Sequence, residues 1–222
     1  MKTFQIVTPE FLPQVSFFSQ FLKSNTVVIA DHIQYKKRSY LTRSSLLKNK
    51  QRLTIPVKHN GIKKAICKKE VAYVENWDRK HLTAIYHNYH VLPFFDDYYY
   101  KVEEIYKKHH KYLNQLLFEQ IKLSIDILRI QCDVKLASNE GFNAAMEDSL
   151  IQFSKNHGKA TFLYKEEDIK HGFINLGKIQ NAEVSTRALA EFLIPSDDNK
   201  NILEFIFAYG PEAAFILRAA SS

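Results

Sequence analysis

Between Ala30 and Leu47 the chain reads ADHIQYKKRSYLTRSSLL, which gathers Gln34, Tyr35, Lys36, Lys37, Arg38, Ser39, Tyr40, Arg43 and Ser44 behind an acid, Asp31. Four cations, two phenols and several hydroxyls suit an anionic, hydroxyl-rich ligand such as a phosphorylated or nucleotide-linked sugar. Cations offer charge-assisted hydrogen bonds to phosphate, and phenols and hydroxyls offer neutral ones to sugar. The same composition also describes a solvated basic turn, and composition alone does not choose between the two. A second candidate is His81, four residues after Trp77 on the apolar face of an expected helix. An imidazole titrates near neutral pH and can serve as a general base or a phosphate ligand. It can equally be a core histidine satisfied by one hydrogen bond.

Other chemistry-bearing clusters are weaker. His87 and His90 have a spacing that can place two imidazoles on one metal, but no carboxylate or cysteine completes a set. His109-His110 is an adjacent pair whose side chains diverge on a helix. Asp96-Asp97 and Glu103-Glu104 read as helix-solubilising acids. No GxSxG elbow, GxGxxG fingerprint or GxxxxGK[ST] loop occurs. No cofactor and no metal are expected.

The elements that must position these residues follow from periodicity and punctuation. Phe4–Thr8 reads as a strand stopped by Pro9, Pro13–Lys23 as a helix on Val15, Phe17, Phe18, Phe21 and Leu22, and Thr26–Ala30 as a second strand. Such a unit is a right-handed crossover between parallel strands. Its two following loops, Pro9–Pro13 and Asp31–Leu47, then open on one edge of the sheet, the edge at which α/β sheets bind ligands. Gln51–Lys58 and Lys69–Val74 read as further strands. Asn76 reads as the N-cap of a helix carrying Trp77, His81, Leu82, Ile85 and Tyr89. Pro93 breaks that helix, and 101–130 holds one bent helix or two consecutive ones. Val134–Leu136 and Ala160–Tyr164 read as strands, Ala144–Asn156 as a weak helix, 165–198 gives no clear pattern, Asn201–Tyr209 reads as an apolar helix, and Ala213–Ala219 as a last short one. The fold class is α/β, a small mostly parallel sheet followed by a helical second half. One domain is expected over 1–222: a basic α/β part (1–75), a helical part (76–131) and a mixed part (132–222) ending in an apolar helix.

Composition narrows the function classes. Residues 1–90 hold 16 Lys/Arg against 5 Asp/Glu, and residues 91–222 hold 15 against 19, so an anionic partner belongs to the first part. Nucleic acid is the less favoured partner. It would need aromatics interleaved with cations, whereas the run Phe94–Tyr100 lies apart from the cations of 36–69. The two cysteines, Cys67 and Cys132, lack CxxC spacing and suit a reducing compartment. No signal peptide and no membrane-spanning run is read, and a cytoplasmic protein is expected.

In order along the chain, these segments resemble the WbqC-like family of bacterial proteins. Its opening Gln-Pro-x-Tyr-x-Pro element corresponds to Thr8–Pro13, followed by the aromatic pair Phe17-Phe18. Its Asp-x-x-Gln-Phe/Tyr and Lys-Arg-Ser segments correspond to Asp31, Gln34, Tyr35, Lys37, Arg38 and Ser39, and its Asn-Arg-Asn triplet to Thr42-Arg43-Ser44. Leu53–Val57, Trp77, His81, Pro93-Phe94-Phe95 and the closing 206–212 complete the pattern. Departures are Thr8 in place of glutamine, both lost asparagines, and a missing Ser-Gly-Pro-Gly element. The resemblance implies a transferase of surface-polysaccharide (O-antigen) biosynthesis, with amino-acyl (glycine) transfer to an amino sugar or nucleotide sugar as the suggested reaction. The alternative is a non-catalytic nucleotide-sugar or glycan-binding protein that recruits others. The implied site takes Asp31 and His81 as catalytic residues, one or the other accepting the proton of the sugar amine, with Gln34, Tyr35, Lys37, Arg38, Arg43, Trp77, Pro9 and Pro13 binding substrate.

Overall fold

The computed structural model describes residues 4–46, 51–59, 64–142, 148, 151, 160–164, 166–170, 173, 185–188 and 200–221. It is an α/β fold built on a five-stranded sheet. β1 (Phe4–Val7) and β2 (Thr26–Ile29) are joined by a short α-helix, α1 (Val15–Ser19), that tightens into a 3-10 turn at Gln20–Lys23. Val15, Phe17, Phe18 and Phe21 are all buried, and that is why this short helix holds. The two strands pair in parallel with Phe4 opposite Thr26, so the expected strand–helix–strand unit is present.

A two-stranded antiparallel ribbon follows, β3 (Arg43–Leu46) with β4 (Gln51–Thr54). The sequence places 43–46 in a loop. The strand exists because its backbone finds a partner in β4, with Leu46 and Leu53 buried. Lys69–Val74, by contrast, is not a strand. It contributes only the isolated bridges Val57–Val71 and Glu70–Tyr112, next to a 3-10 turn at Ile66–Lys68.

Three helices come next: α2 (Trp77–Tyr89), α3 (Phe95–Lys107) and α4 (Leu113–Ile127), so 101–130 contains two helices rather than one bent one. Asn76 stands at the N-cap position of α2, as expected, but does not cap through its side chain. It and Glu75 both adopt left-handed backbone, at φ 51° and 56°, and its side chain bonds no helix amide. Two successive left-handed residues reverse the chain into α2, a conformation that asparagine tolerates better than most.

β5 (Asp133–Leu136), β6 (Ala160–Tyr164) and β7 (Ser185–Ala188) complete the sheet in the order β5-β2-β1-β6-β7, every neighbouring pair parallel. β5 and β6 match the expected strands, β7 falls where no pattern was legible, and the expected helix at 144–156 falls largely outside the described residues. A short helix α5 (Glu166–Lys170) follows β6, and the chain finishes with α6 (Ile202–Tyr209) and α7 (Ala213–Ser221). Asn201 caps α6, its Oδ1 accepting from the amides of Leu203 at 3.0 Å and Glu204 at 3.1 Å. α3 packs on α4 and α6, and α1 on α7.

Gly210 ends α6 at φ 49°, and a Cβ there would lie 2.4 Å from Cγ of Phe94. Positive φ and a clash near the root of a ring both require glycine. Gly210→Ala is expected to lower stability by about 2–4 kcal/mol, read as a fall in the urea midpoint.

Candidate functional site

Because all five strands run the same way, their carboxyl ends share one edge. β1 is the central strand. The chain lays β2 and β5 on one side of it and β6 and β7 on the other. The reversal between β1 and β6 is a topological switch point, where loops diverge and leave a crevice.

The loops after β1 and β2 are tied together at this edge. The Ala30 amide donates to the Val7 carbonyl at 2.8 Å, and the Phe11 amide to the Tyr40 carbonyl at 3.0 Å. Ser44 Oγ donates to the Leu12 carbonyl at 3.1 Å. Pro9 and Pro13 are buried within this junction, and the Pro13 carbonyl accepts from Ile202 at the start of α6.

Asp31, at the end of β2, is completely buried. Its Oδ1 accepts from the Ser138 amide at 2.8 Å, and its Oδ2 from Ser138 Oγ at 2.6 Å and Asn114 Nδ2 at 2.8 Å. It thereby joins β2 to the turn after β5 and to α4. The next residue, His32, is buried against Phe142, ring centroids 5.1 Å apart. Neither of its ring nitrogens has a hydrogen-bond partner among the described residues. Burial pushes its pKa down to about 4, against the pull of the Asp31 carboxylate.

From Asp31 to Tyr35 the chain runs alongside 64–67. The Cys67 amide donates to the Asp31 carbonyl, Ile66 to Ile33, and Tyr35 to Lys64, all within 2.8–2.9 Å. Gln34 lies in this pairing, bridged to Ala65. The register carries Tyr35 beneath Lys69, whose ammonium stands 5.2 Å from the ring centroid. Lys37 Nζ lies 2.7 Å from His59 Nε2. An ammonium only donates, so that nitrogen accepts. Arg38 takes left-handed backbone at φ 59° and is exposed, while Arg43 is half-buried in β3. Ser39 closes the turn through Oγ to the Lys36 carbonyl at 2.8 Å.

Across the switch point, the Tyr40 hydroxyl donates to Asp168 Oδ1, binding the basic loop to the segment after β6. Asp168 and Glu10 are both buried. Burial and these two carboxylates push the Tyr40 phenol far above its ordinary range, so it stays a neutral donor.

His81 and Trp77 belong to a different cluster. Trp77 donates its indole N–H to the Ala72 carbonyl at 3.0 Å. His81 stacks on Phe11 at 5.6 Å and meets Trp77 edge-on at 4.9 Å, so it sits beneath the loop after β1. Its Nε2 accepts from the Thr54 amide at 3.1 Å, and its Nδ1 lies 3.3 Å from the Tyr106 hydroxyl. An Nε2 that accepts belongs to a neutral ring, and burial holds the pKa at about 4. His81 and Asp31 share no hydrogen bond.

The structure thus brings Gln34, Tyr35 and Lys37 together with Lys64 and Lys69, and brings Pro9 and Pro13 to Tyr40 and β3. Lys64, Lys69, His59, His32, Glu10 and Asp168 do not stand out in the sequence as site residues, whereas Tyr40 is one of the two phenols of the basic loop. The lysine pairs 63-64 and 68-69 are the only hint, and nothing local shows which loop they face.

No group of three or more His, Cys, Asp or Glu suited to a metal occurs among the described residues. Both thiols are free. Burial pushes Cys67 up and Cys132 up to about 11, which disfavours the nucleophilic thiolate. No described helix is long and apolar enough to cross a membrane.

No curated protein and no solved structure matches the chain. A family model does match, over residues 8–168, which takes in the switch-point loops, the basic loop and the three central helices. On that match the chain belongs to the WbqC-like protein family.

Proposed function

We propose that the protein is a transferase of surface-polysaccharide (O-antigen) biosynthesis acting on a phosphorylated or nucleotide-linked sugar, with amino-acyl (glycine) transfer to an amino sugar as its reaction. The observation that carries this reading is the basic loop 31–43. It is tied to the loop after β1 and lies at the carboxyl edge of an all-parallel sheet beside its switch point. Lys37, Arg38 and Arg43 hold the anionic part of the ligand, and Gln34 and Tyr35 bond its hydroxyls. Pro9 and Pro13 stiffen the facing loop. Asp31, with three donors already on its carboxylate, and His81, with both nitrogens engaged, act as positioning residues, and Trp77 supports His81.

In the transfer, the amine nitrogen attacks the carbonyl carbon of an activated acyl donor. The C–N bond forms, the leaving group departs with its electron pair, and the proton lost by the amine passes to a carboxylate. Glu10 and Asp168, both beside Tyr40 at the loops flanking the switch point, suit this role. The lost asparagines of the Thr42-Arg43-Ser44 triplet favour a second reading, a non-catalytic nucleotide-sugar or glycan-binding protein that recruits others.

A thermal-shift screen against nucleotide sugars and acyl donors tests both. A saturating nucleotide sugar is expected to raise the melting temperature by about 5 °C or more, and Lys37→Ala and Arg43→Ala to abolish the rise. Stabilisation without turnover supports the binding protein. No response to any nucleotide sugar overturns both readings.

A further inference from the structure

Lys69 is only 6 % exposed, yet none of the described carboxylates pairs with it. The adjacent acid, Glu70, is taken by Lys58 at 2.8 Å. Lys107 on Glu103 at 2.7 Å and Lys108 on Glu119 at 2.8 Å show the pairing with a carboxylate that Lys69 lacks. The only partner the described residues give the Lys69 ammonium is the face of Tyr35, 5.2 Å from the ring centroid. Burying a cation without a counter-charge is unfavourable, and crowding it with like charge is more so. Both happen here: burial, Lys64 and Lys37 all hold the Lys69 ammonium below its usual lysine range.

This arrangement is built rather than accidental. Lys64 and Lys69 come from one segment and Tyr35 and Lys37 from another. The amide bonds from Tyr35 to Lys64 (2.8 Å) and from Ile66 to Ile33 (2.9 Å) fix the register that brings them together. Lys37 is oriented by His59, which accepts from its ammonium at 2.7 Å. A buried ammonium on an aromatic face, with two further lysines near enough for it to feel their charge and ordered before a ligand arrives, is an arrangement that suits an anion.

We propose that Lys37, Lys64 and Lys69, with Tyr35 as floor, form a diphosphate-binding site. Lys37 and Lys69 are two separate ammonium groups, one held by His59 and the other over the Tyr35 ring, and the two phosphates of a diphosphate can meet one each, where a single phosphate meets one. The diphosphate is carried either by a nucleoside or by a lipid, and the recognised chemistry is the same. This deepens the transferase reading and rests on it for the remainder of the ligand, but not for the diphosphate.

The site is tested by calorimetric titration of the purified full chain with pyrophosphate, inorganic phosphate, uridine diphosphate and geranyl diphosphate at fixed ionic strength. Pyrophosphate is expected to bind saturably and at least tenfold tighter than phosphate. Lys69→Met is expected to weaken it at least tenfold while leaving the unliganded melting temperature unchanged or raised. Lys58→Met, which removes a lysine already paired to Glu70, is expected to change pyrophosphate affinity less than twofold. Tighter binding of uridine diphosphate assigns the nucleoside source, and tighter binding of geranyl diphosphate the lipid source. The proposal is overturned if pyrophosphate binds no better than phosphate, if Lys69→Met binds it like the wild type, or if that variant melts lower without ligand. A nucleotide-sugar response that survives Lys69→Met overturns this site and leaves the transferase reading standing.

Discussion

Lowering the pH from 6.5 to 4 is expected to remove on the order of 6 kcal/mol of folding stability through His32 and His81 alone. Both imidazoles are buried, and burial takes each from its ordinary 6.5 down to about 4. The sign follows from proton counting. Between these values the unfolded chain binds protons that the folded chain refuses, so acid favours unfolding. Stability is intact above about pH 6.5, falls through the interval, and loses nothing more from these two groups below about pH 4. Each contributes on the order of 3 kcal/mol, and together they approach the whole stability of an ordinary domain. The groups facing them do not reverse the sign. The Asp31 carboxylate pulls His32 toward the charged form and Asp78 pulls His81 the same way, and burial outweighs both. For His81 the Thr54 amide adds a geometric reason, since the lone pair it occupies is the one a second proton would need.

Urea unfolding at pH 7, 5.5 and 4 measures the loss, and His32→Phe separates the two contributions. Phenylalanine keeps a ring against Phe142 and removes two nitrogens that have no partner among the described residues. The variant is expected to lose about 3 kcal/mol less than the wild type between pH 7 and 4, and to be no less stable at pH 7. An unchanged pH dependence in the variant would show that His32 is not titrating in the buried state.

What the sequence made legible is what neighbours along the chain decide. β1, α1 and β2 are set by Pro9, by the spacing of Phe17, Phe18 and Phe21, and by Ser24-Asn25. Each of these acts within one turn or one strand. α2, α3 and α4 follow from apolar spacing and from Pro93, and α6 from a run so apolar that Ile202, Leu203, Phe205, Ile206 and Phe207 are all buried. The features that failed to show depend on distant partners. Arg43–Leu46 has too many polar residues to read as a strand and becomes one only opposite Gln51–Thr54. Lys69–Val74 has the composition of a strand but finds only single bridges. The switch point arises because Ala160–Tyr164 pairs with Phe4–Val7 across more than 150 residues, a register that no local pattern encodes. The candidate site divides in the same way. The basic loop is visible as a run of cations, but its partners Lys64, Lys69 and Asp168 arrive through backbone pairing and through the Tyr40 hydroxyl.

Asp31→Ala is expected to cost about 3–5 kcal/mol, because this carboxylate is the acceptor on which three elements meet. With it gone, the Ser138 amide, Ser138 Oγ and Asn114 Nδ2 each lose their acceptor in a site that water does not reach easily. A buried donor without a partner costs about 1–3 kcal/mol, more when the lost acceptor was charged. Asp31→Asn keeps the volume and one carbonyl oxygen but turns an amide against a donor, so it is expected to cost about 2 kcal/mol. Ser138→Ala removes one donor and leaves the carboxylate two others, and should cost less than either. In a double-mutant cycle the pair should couple by more than 1 kcal/mol. The consequence reaches the site, since the Asp31 carbonyl accepts the Cys67 amide at 2.8 Å and starts the pairing that seats Tyr35 under Lys69. Asp31→Asn, still folded at 20 °C, is therefore expected to bind pyrophosphate several-fold more weakly than the wild type. If Asp31→Ala unfolds at the same urea concentration as the wild type, the carboxylate is not the anchor of this edge. If Asp31→Asn is destabilised but binds pyrophosphate unchanged, the lysines are held by the backbone pairing alone.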